Sequence, residues 1–228
     1  MSMSDAVVDL MHAVEDHEPR TPGCLLLILP PLAILIFGAV LLGLSLRRPP
    51  VGGSQPDAGR QIMAVSRIFT PEIQYWGGSI QQWAQAAGVD ANLVAVVMQI
   101  ESCGNPSALS SAGAIGLFQV MPYHFLESEN PFSPDTNAIR GLEYLKRSLA
   151  AADGDAGLAL AGYNGGIALI AAPKWEWPAE TQRYNHWGNG IYADASSGAS
   201  DSPSLADWLA AGGETLCETA KQHLDLDN

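Results

Sequence analysis

Charge is scarce in this chain, and positive charge is scarcer. Asp, Glu, Lys and Arg together make up 15% of the 228 residues, with 11 Lys and Arg against 24 Asp and Glu, for a formal net charge of −13. Such a chain lacks the basic face that phosphates need, which excludes nucleic acid as a partner. Cysteine is also sparse. Cys24, Cys103 and Cys217 show no C-x-x-C spacing, and none of the five histidines stands four residues from another. No metal site and no thioredoxin-like redox site is therefore expected. Alternating strand patterns are nearly missing, with at most a short hairpin or extended piece near 115–120. No internal repeat is found.

What the chain does contain is one long apolar run. Residues 24–46, "CLLLILPPLAILIFGAVLLGLSL", hold 23 positions without a charge, long enough to span a bilayer as a helix. A buried core helix seldom runs so far without a polar face. A cleaved signal peptide fits poorly, because the leading region is acidic and no small-residue cleavage site follows. The organisation read from this is a polar tail over 1–20, a transmembrane helix over 24–46 and a Pro/Gly linker over 47–60. A globular helical domain follows over 61–195, then a Ser/Gly/Pro linker and short acidic helices over 196–228. Arg47 and Arg48 follow the span while only Arg20 precedes it. Taken alone, that bias places the C-terminal part in the cytoplasm.

The globular part reads as mainly α. Asp90 is placed to cap a helix over 91–103 that Gly104 stops. Ile80, Trp83, Ala84 and Ala87 form a stripe before it, Leu142, Leu145 and Leu149 one after it, and residues 156–164 a small-residue helix closed by Gly165 and Gly166. Within "VMQIESCGNP", Glu101 shares a face with Met98, Val97 and Val94 at i−3, i−4 and i−7. It also lies in the last turn, where the helix dipole disfavours negative charge. Burial and dipole both favour a protonated carboxyl, the form a general acid needs. A structural Glu paired with a basic partner, or capping a loop amide, fits the same position.

Three further blocks follow in order: "SSAGAIGLFQVMP" at 110–122, "ALAGYNGG" at 159–166 and "ETQRY" at 180–184. With the Glu101–Ser102 pair they resemble the lytic transglycosylases that carry a soluble-lytic-transglycosylase, goose-type-lysozyme-like catalytic domain. Their pattern runs Glu-Ser, Gly-Leu-Met-Gln-x-Met-Pro, Ala-Tyr-Asn-x-Gly, Glu-Thr-x-x-Tyr. The resemblance covers about 73–195 and implies a lysozyme-like helical domain with at most a small hairpin. It implies that Glu101 is the catalytic acid/base and that Ser102 contacts the sugar beside it. Gln119 and Met121 would line the saccharide groove, Tyr163 and Asn164 its other wall, and the Tyr184 hydroxyl would steady Glu101. Asn137 and Gly141 match a structural Asn-x-x-x-Gly. Phe118 stands where the family has Met, and Gly162 where it has Ala, a change expected to loosen that helix end. "NHWGNG" at 185–190 departs from the pattern and leaves the far end of the groove open. Taken by themselves, Tyr163, Tyr184, Trp175, Trp177 and Trp187 also fit ordinary core packing.

Most glycosidases use two carboxylates about 5 to 9.5 Å apart, yet only one is evident here. Glu180 reads as structural and Asp135 as an N-cap. The family's chemistry needs one: the acid protonates the glycosidic oxygen, then acts as base toward the C6 hydroxyl of N-acetylmuramic acid. The product is a 1,6-anhydromuramyl end, with no cofactor. A hydrolytic muramidase and an inactive peptidoglycan-binding module are the alternatives. Peptidoglycan strands as partner place the domain on the wall side of the bacterial cytoplasmic membrane, anchored by a single pass through 24–46. This runs against the arginine bias. The location permits disulfides, and Cys103 with Cys217 is then the natural pair, set to pin the acidic C-terminal helices beside the catalytic helix near the groove. Two separate buried thiols are the other reading.

Overall fold

The computed structural model describes residues 65–226. The expected tail, apolar span and linker, together with 61–64 and the last two residues, lie outside the described residues. Among the described residues no helix is long and apolar enough to cross a membrane.

Two short helices come first, α1 (Pro71–Tyr75) and α2 (Gly77–Ala87). The next, α3 (Ala91–Ser102), is the centre of the fold. Asp90 starts it, its carboxylate accepting from the amides of Asn92 at 2.9 Å and Leu93 at 3.1 Å. Leu93 to Met98 are no more than 2% exposed. Burial of Leu93, Val94, Val96, Val97 and Met98 contributes about 1.5–3 kcal/mol each before chain entropy is counted. A helix apolar on most sides must be covered on most sides, and α1, α2, the long α6 (Ala179–Ser197) and the C-terminal α8 (Glu214–His223) do so. Of its twelve residues only Ile100 and Glu101 are not buried. The opening in the cover is therefore at Glu101.

α3 ends one residue earlier than the Gly104 signal implies. Cys103 takes the left-handed conformation at φ 48° and closes the helix by donating its amide to the Gln99 carbonyl. Gly104, at φ 82°, is needed for close approach: a Cβ there would lie 2.9 Å from the Trp76 ring. The Trp76 indole donates to the Gly104 carbonyl at 2.8 Å.

The site's other walls come from α4 (Pro134–Ala151) and α5 (Ala156–Gly165), which pack on each other and on α6. α4 begins eight residues before Leu142, the first of the apolar stripe, with Pro134 in its first turn. Asp135 is not its N-cap, which is Ser133. Instead its carboxylate accepts from the Trp83 indole at 2.8 Å and ties α4 to α2. Among the described residues there is no strand. The expected hairpin is reduced to single antiparallel bridges of Ile115 with Leu109 and Val120.

The C-terminal stretch is part of the same core. α6 runs on to Ser197, so the expected linker is shorter, and α7 (Pro203–Trp208) is capped by the Ser202 hydroxyl. Gly212, at φ 125°, kinks the chain into α8. Leu205, Trp208, Cys217 and Ala220 pack into the cluster built on α3. Cys217 is disulfide-bonded to Cys103 across 114 residues of sequence. Closing a loop of that length stabilises mainly by restricting the unfolded chain. Replacing both cysteines by alanine is expected to lower the unfolding free energy by roughly 2–4 kcal/mol, read from the denaturant midpoint. An unchanged midpoint would mean that packing alone holds α8.

Candidate active site

Glu101 sits where the last turn of α3 meets a groove of about 610 Å³. One carboxylate oxygen, Oε1, accepts from the Tyr184 hydroxyl at 2.9 Å. Tyr184 is 6% exposed and comes from the middle of α6, the helix that crosses α3. Burial pushes the Glu101 carboxyl up to about 8; the Tyr184 hydrogen bond opposes this, and the charge of Glu180 adds to it. Burial also holds the Tyr184 and Tyr163 phenols well above their ordinary value, with the Glu101 charge acting in the same direction. Both tyrosines therefore remain hydrogen-bond donors.

One wall of the groove is the loop carrying Gln119 and Met121. Its shape depends on Asn137 of α4. The Asn137 side chain accepts from the Phe118 amide at 2.9 Å and donates to the carbonyls of Ile115 at 2.8 Å and Pro131 at 3.0 Å. Gly116, at φ 74°, lies so close that a Cβ would be 2.5 Å from the Asn137 amide nitrogen. Gln119 is held left-handed at φ 45°, with its side-chain amide on the Gly116 carbonyl at 3.0 Å. A non-glycine residue in that region stores strain at a groove position.

The other wall is the end of α5. The Tyr163 hydroxyl donates to the Phe118 carbonyl at 2.8 Å and so links the walls. Gly141 allows this approach, since a Cβ there would lie 2.6 Å from that of Phe118 and 3.2 Å from the Tyr163 oxygen. Asn164 faces the groove with its amide oxygen accepting from Thr181 at 2.8 Å, which leaves the NH₂ as its donor end.

The structure thus brings Glu101, Gln119, Met121, Tyr163 and Asn164 to one groove, with Tyr184 beneath the acid. Ser102 is not with them. It has no exposure; its hydroxyl donates to the Leu117 carbonyl at 2.7 Å and accepts from the Gly104 amide at 3.1 Å. Its neighbour on the helix turns about 100° away, so the two residues face different surroundings and the sugar contact expected of Ser102 is replaced by a helix-to-loop tie. The disulfide is not at the groove either. Gln99 and Cys103 share the opposite side of α3, and the Gln99 amide lies 3.0 Å from the Cys103 sulfur. No residue of the C-terminal helices lines the groove.

Other departures from the sequence reading have packing causes. Gly162 does not loosen α5: a Cβ there would run into the Ser148 hydroxyl and the Ile170 side chain. "NHWGNG" is the middle of α6 and not a groove end. Gly188 admits Leu160, whose methyl would be 3.1 Å from an added Cβ. Trp177 is core at 3% exposure, Trp187 packs against the core, and Trp175 is 80% exposed away from the groove. Glu72 gathers with Cys103 and Cys217, but both sulfurs are bonded to each other, which leaves a lone carboxylate for any metal.

Sequence reasoning took Glu180 as structural, whereas it is an exposed carboxylate at the groove, and it missed Tyr123, His124 and Tyr144 along it. The "ETQRY" block carried a signal for Glu180, whereas the three rings come from a loop and a helix that no spacing connects.

The raised carboxyl has a thermodynamic consequence. Glu101 holds its proton more tightly in the folded chain, at about 8 against an ordinary 4.5. Its protonated form supports stability fully below the lower value, and that support is lost as pH rises to the upper one. Glu101→Gln, which cannot ionise, is expected to lose less stability across that window in thermal unfolding. Parallel curves for parent and variant would show that Glu101 is not desolvated.

The comparisons agree with this geometry. Residues 78–187 match the family described as the Transglycosylase SLT domain. Over 115 residues the chain is 35% identical to a transglycosylase of Enterobacteria phage PRD1, covering 47% of this chain and 41% of that one. It is 50% identical over 44 residues to membrane-bound lytic murein transglycosylase C of Haemophilus influenzae, covering 19% and 12%. It is 40% identical over 59 residues to endo-type membrane-bound lytic murein transglycosylase A of Klebsiella pneumoniae, covering 24% and 29%. The chain thus spans less than half the length of each of these curated relatives. The matched segment runs from α2 into α6 and contains Glu101, both walls of the groove and Tyr184. The segment built around Glu101 is thus the one that is similar to the transglycosylase SLT domain.

Proposed function

We propose that this chain is a membrane-anchored lytic transglycosylase that cuts the β-1,4 bond between N-acetylmuramic acid and N-acetylglucosamine in peptidoglycan. The observation that carries the reading is a carboxyl pushed up to about 8, held by a tyrosine and open to a groove of about 610 Å³. Near neutral pH such a group is mostly protonated and can serve as a general acid. The Glu101 proton passes to the glycosidic oxygen as the bond to the anomeric carbon breaks. The carboxylate then removes the proton of the muramic acid C6 hydroxyl, whose oxygen bonds to the anomeric carbon. The second product is a 1,6-anhydromuramyl end, and no water is consumed. Tyr184 fixes the carboxyl and lowers the cost of its charged interval. Gln119, Met121, Tyr163 and Asn164 hold the sugars, with polar atoms and apolar surface on facing walls.

The apolar segment 24–46 would anchor the chain, with the domain on the wall side of the cytoplasmic membrane. The names of the Haemophilus and Klebsiella relatives support membrane attachment. The Cys103–Cys217 bond supports an oxidising compartment outside the cytoplasm, and outweighs the bias from Arg47 and Arg48. A second reading has one observation in its favour: Glu180 places another carboxylate at the groove, as a water-using muramidase would require.

Mass spectrometry of digested peptidoglycan separates the two. The full chain is expected to yield anhydromuramyl ends, and Glu101→Gln to lower their rate by about 10² to 10⁴-fold. Reducing ends would make the enzyme a hydrolase, and no cut would leave a binding module. The rate should fall as pH rises through about 8, as the acid is lost. In Tyr184→Phe that limb should move to higher pH, because the missing hydrogen bond favoured the charged form. A limb that stays in place would separate Tyr184 from the titration.

A further inference from the structure

Beside the groove lies a second recess of about 490 Å³, lined by Tyr123, His124, Arg140, Glu143, Lys146 and Arg147. It adjoins the groove, because Tyr123 and His124 line both. Three of the seven Lys and Arg among the described residues meet there, in a chain whose net charge is −13. Helical spacing explains part of this, since Arg140, Glu143 and Arg147 follow at i, i+3 and i+7 on α4.

The three cations are not equivalent. Arg140 is already engaged: Glu129 accepts from it in a forked pair at 2.7 and 2.9 Å, and Glu143 accepts at 2.9 Å. It forms the floor. Lys146 and Arg147 are exposed and have no carboxylate partner among the described residues. The Arg147 guanidinium lies over the Tyr144 ring, 5.2 Å from its centroid. That ring belongs to a run of aromatics leading back to the groove wall. Tyr123 is 4.5 Å from His124, His124 is 5.1 Å from Tyr144, and Tyr144 is 5.6 Å from Tyr163. The arrangement is a run of tilted and edge-on aromatic rings, with the Arg147 guanidinium over Tyr144 and Lys146 lining the same recess. It suits a ligand whose sugar lies in the groove and whose side branch carries negative charge.

We propose that this recess binds a carboxylate of the peptide that muramic acid carries, and so selects peptide-bearing strands over bare ones; the assignment rests on peptidoglycan being the substrate. The peptide leaves the sugar through the lactyl group, to the side of the glycan chain, and bears free carboxylates along its length. Over Tyr123 and His124 it reaches Lys146 and Arg147. Carboxylate hydrogen bonds to charged donors are stronger than neutral ones, though exposure and salt weaken them. Glycan lacking peptide keeps only the lactyl carboxylate, close to the ring and short of the recess.

The test measures binding by the full chain carrying Glu101→Gln, so that no strand is cut. Three probes are compared: peptide-bearing glycan strands, the same strands with their peptide carboxylates amidated, and strands freed of peptide by an amidase. The peptide-bearing strands should bind about five- to tenfold more tightly than either of the others at low salt, and the ratio should shrink as salt is raised. Adding Lys146→Gln and Arg147→Gln should bring that ratio close to one, while Arg147→Lys, which keeps the charge, should retain most of it. Equal affinity for all three strands would overturn the proposal. So would a double variant that weakens all three equally, which is what a merely structural role predicts. Stripped strands that bind as tightly as peptide-bearing ones would overturn selection for the peptide, because only the stripped strands carry a free lactyl carboxylate. Product analysis of the parent on the same strands is read separately. Absence of anhydromuramyl ends there would end the cleavage mechanism while the binding ratios still decide the recess.

Discussion

A carboxyl group kept from water on most sides, yet reachable from one, is the constraint on which the rest of this domain depends. Desolvation alone would neutralise Glu101 permanently, and exposure alone would return it to an ordinary carboxylate. The balance is set by α3. Ten of its twelve residues are buried, and the acid stands at the one break in its cover. Tyr184 then supplies a hydrogen bond that favours the charged form without admitting water. Because α6 delivers Tyr184 and covers α3 at once, the packing of those two helices and the tuning of the acid are one feature of the fold.

Rigidity around the acid comes from small residues and one amide. Asn137 makes three hydrogen bonds to the loop backbone and takes the place of a strand partner for a segment too short to form a sheet. Gly116 and Gly141 let that amide and the Tyr163 ring approach the loop. Backbone polar groups in a buried loop need partners, and here α4 and α5 provide them. The same contacts hold Gln119 in a conformation it would not adopt alone. The disulfide works on the other side of α3, where it closes a covalent loop across 114 residues and keeps α8 over the core without entering the groove.

Charge is distributed against the composition. The chain is acidic overall, but three of its few cations meet beside the groove, one tied down by two glutamates and two left facing outward. A single helix carries all three, and the aromatic run beside them joins this recess to the groove wall. Uncompensated charge at the edge of a site acts on which ligand is retained more than on the chemistry at its centre.

Much of this was open to reading along the chain, because it depends on local rules. Asp90 as a cap, the apolar face shared by Val94, Val97, Met98 and Glu101, and the helical breaks at glycine follow from spacing and backbone preference. What the linear order could not supply was the direction in which each neighbour faces. Ser102 follows Glu101 directly, yet it is turned into the core, since one step along a helix is about 100°. Gly162 reads as a weakness and is instead a close contact with Ser148, while Asp135 reads as a cap and is a tie to Trp83. The presence of Glu180 at the groove, the meeting of His124 with Tyr144 and the placement of the disulfide behind the acid all depend on which helices pack together. Local periodicity determined the elements and the candidate acid. Only tertiary packing decided the surroundings of that acid, because burial and facing partners are properties of the assembled helices and not of any one of them.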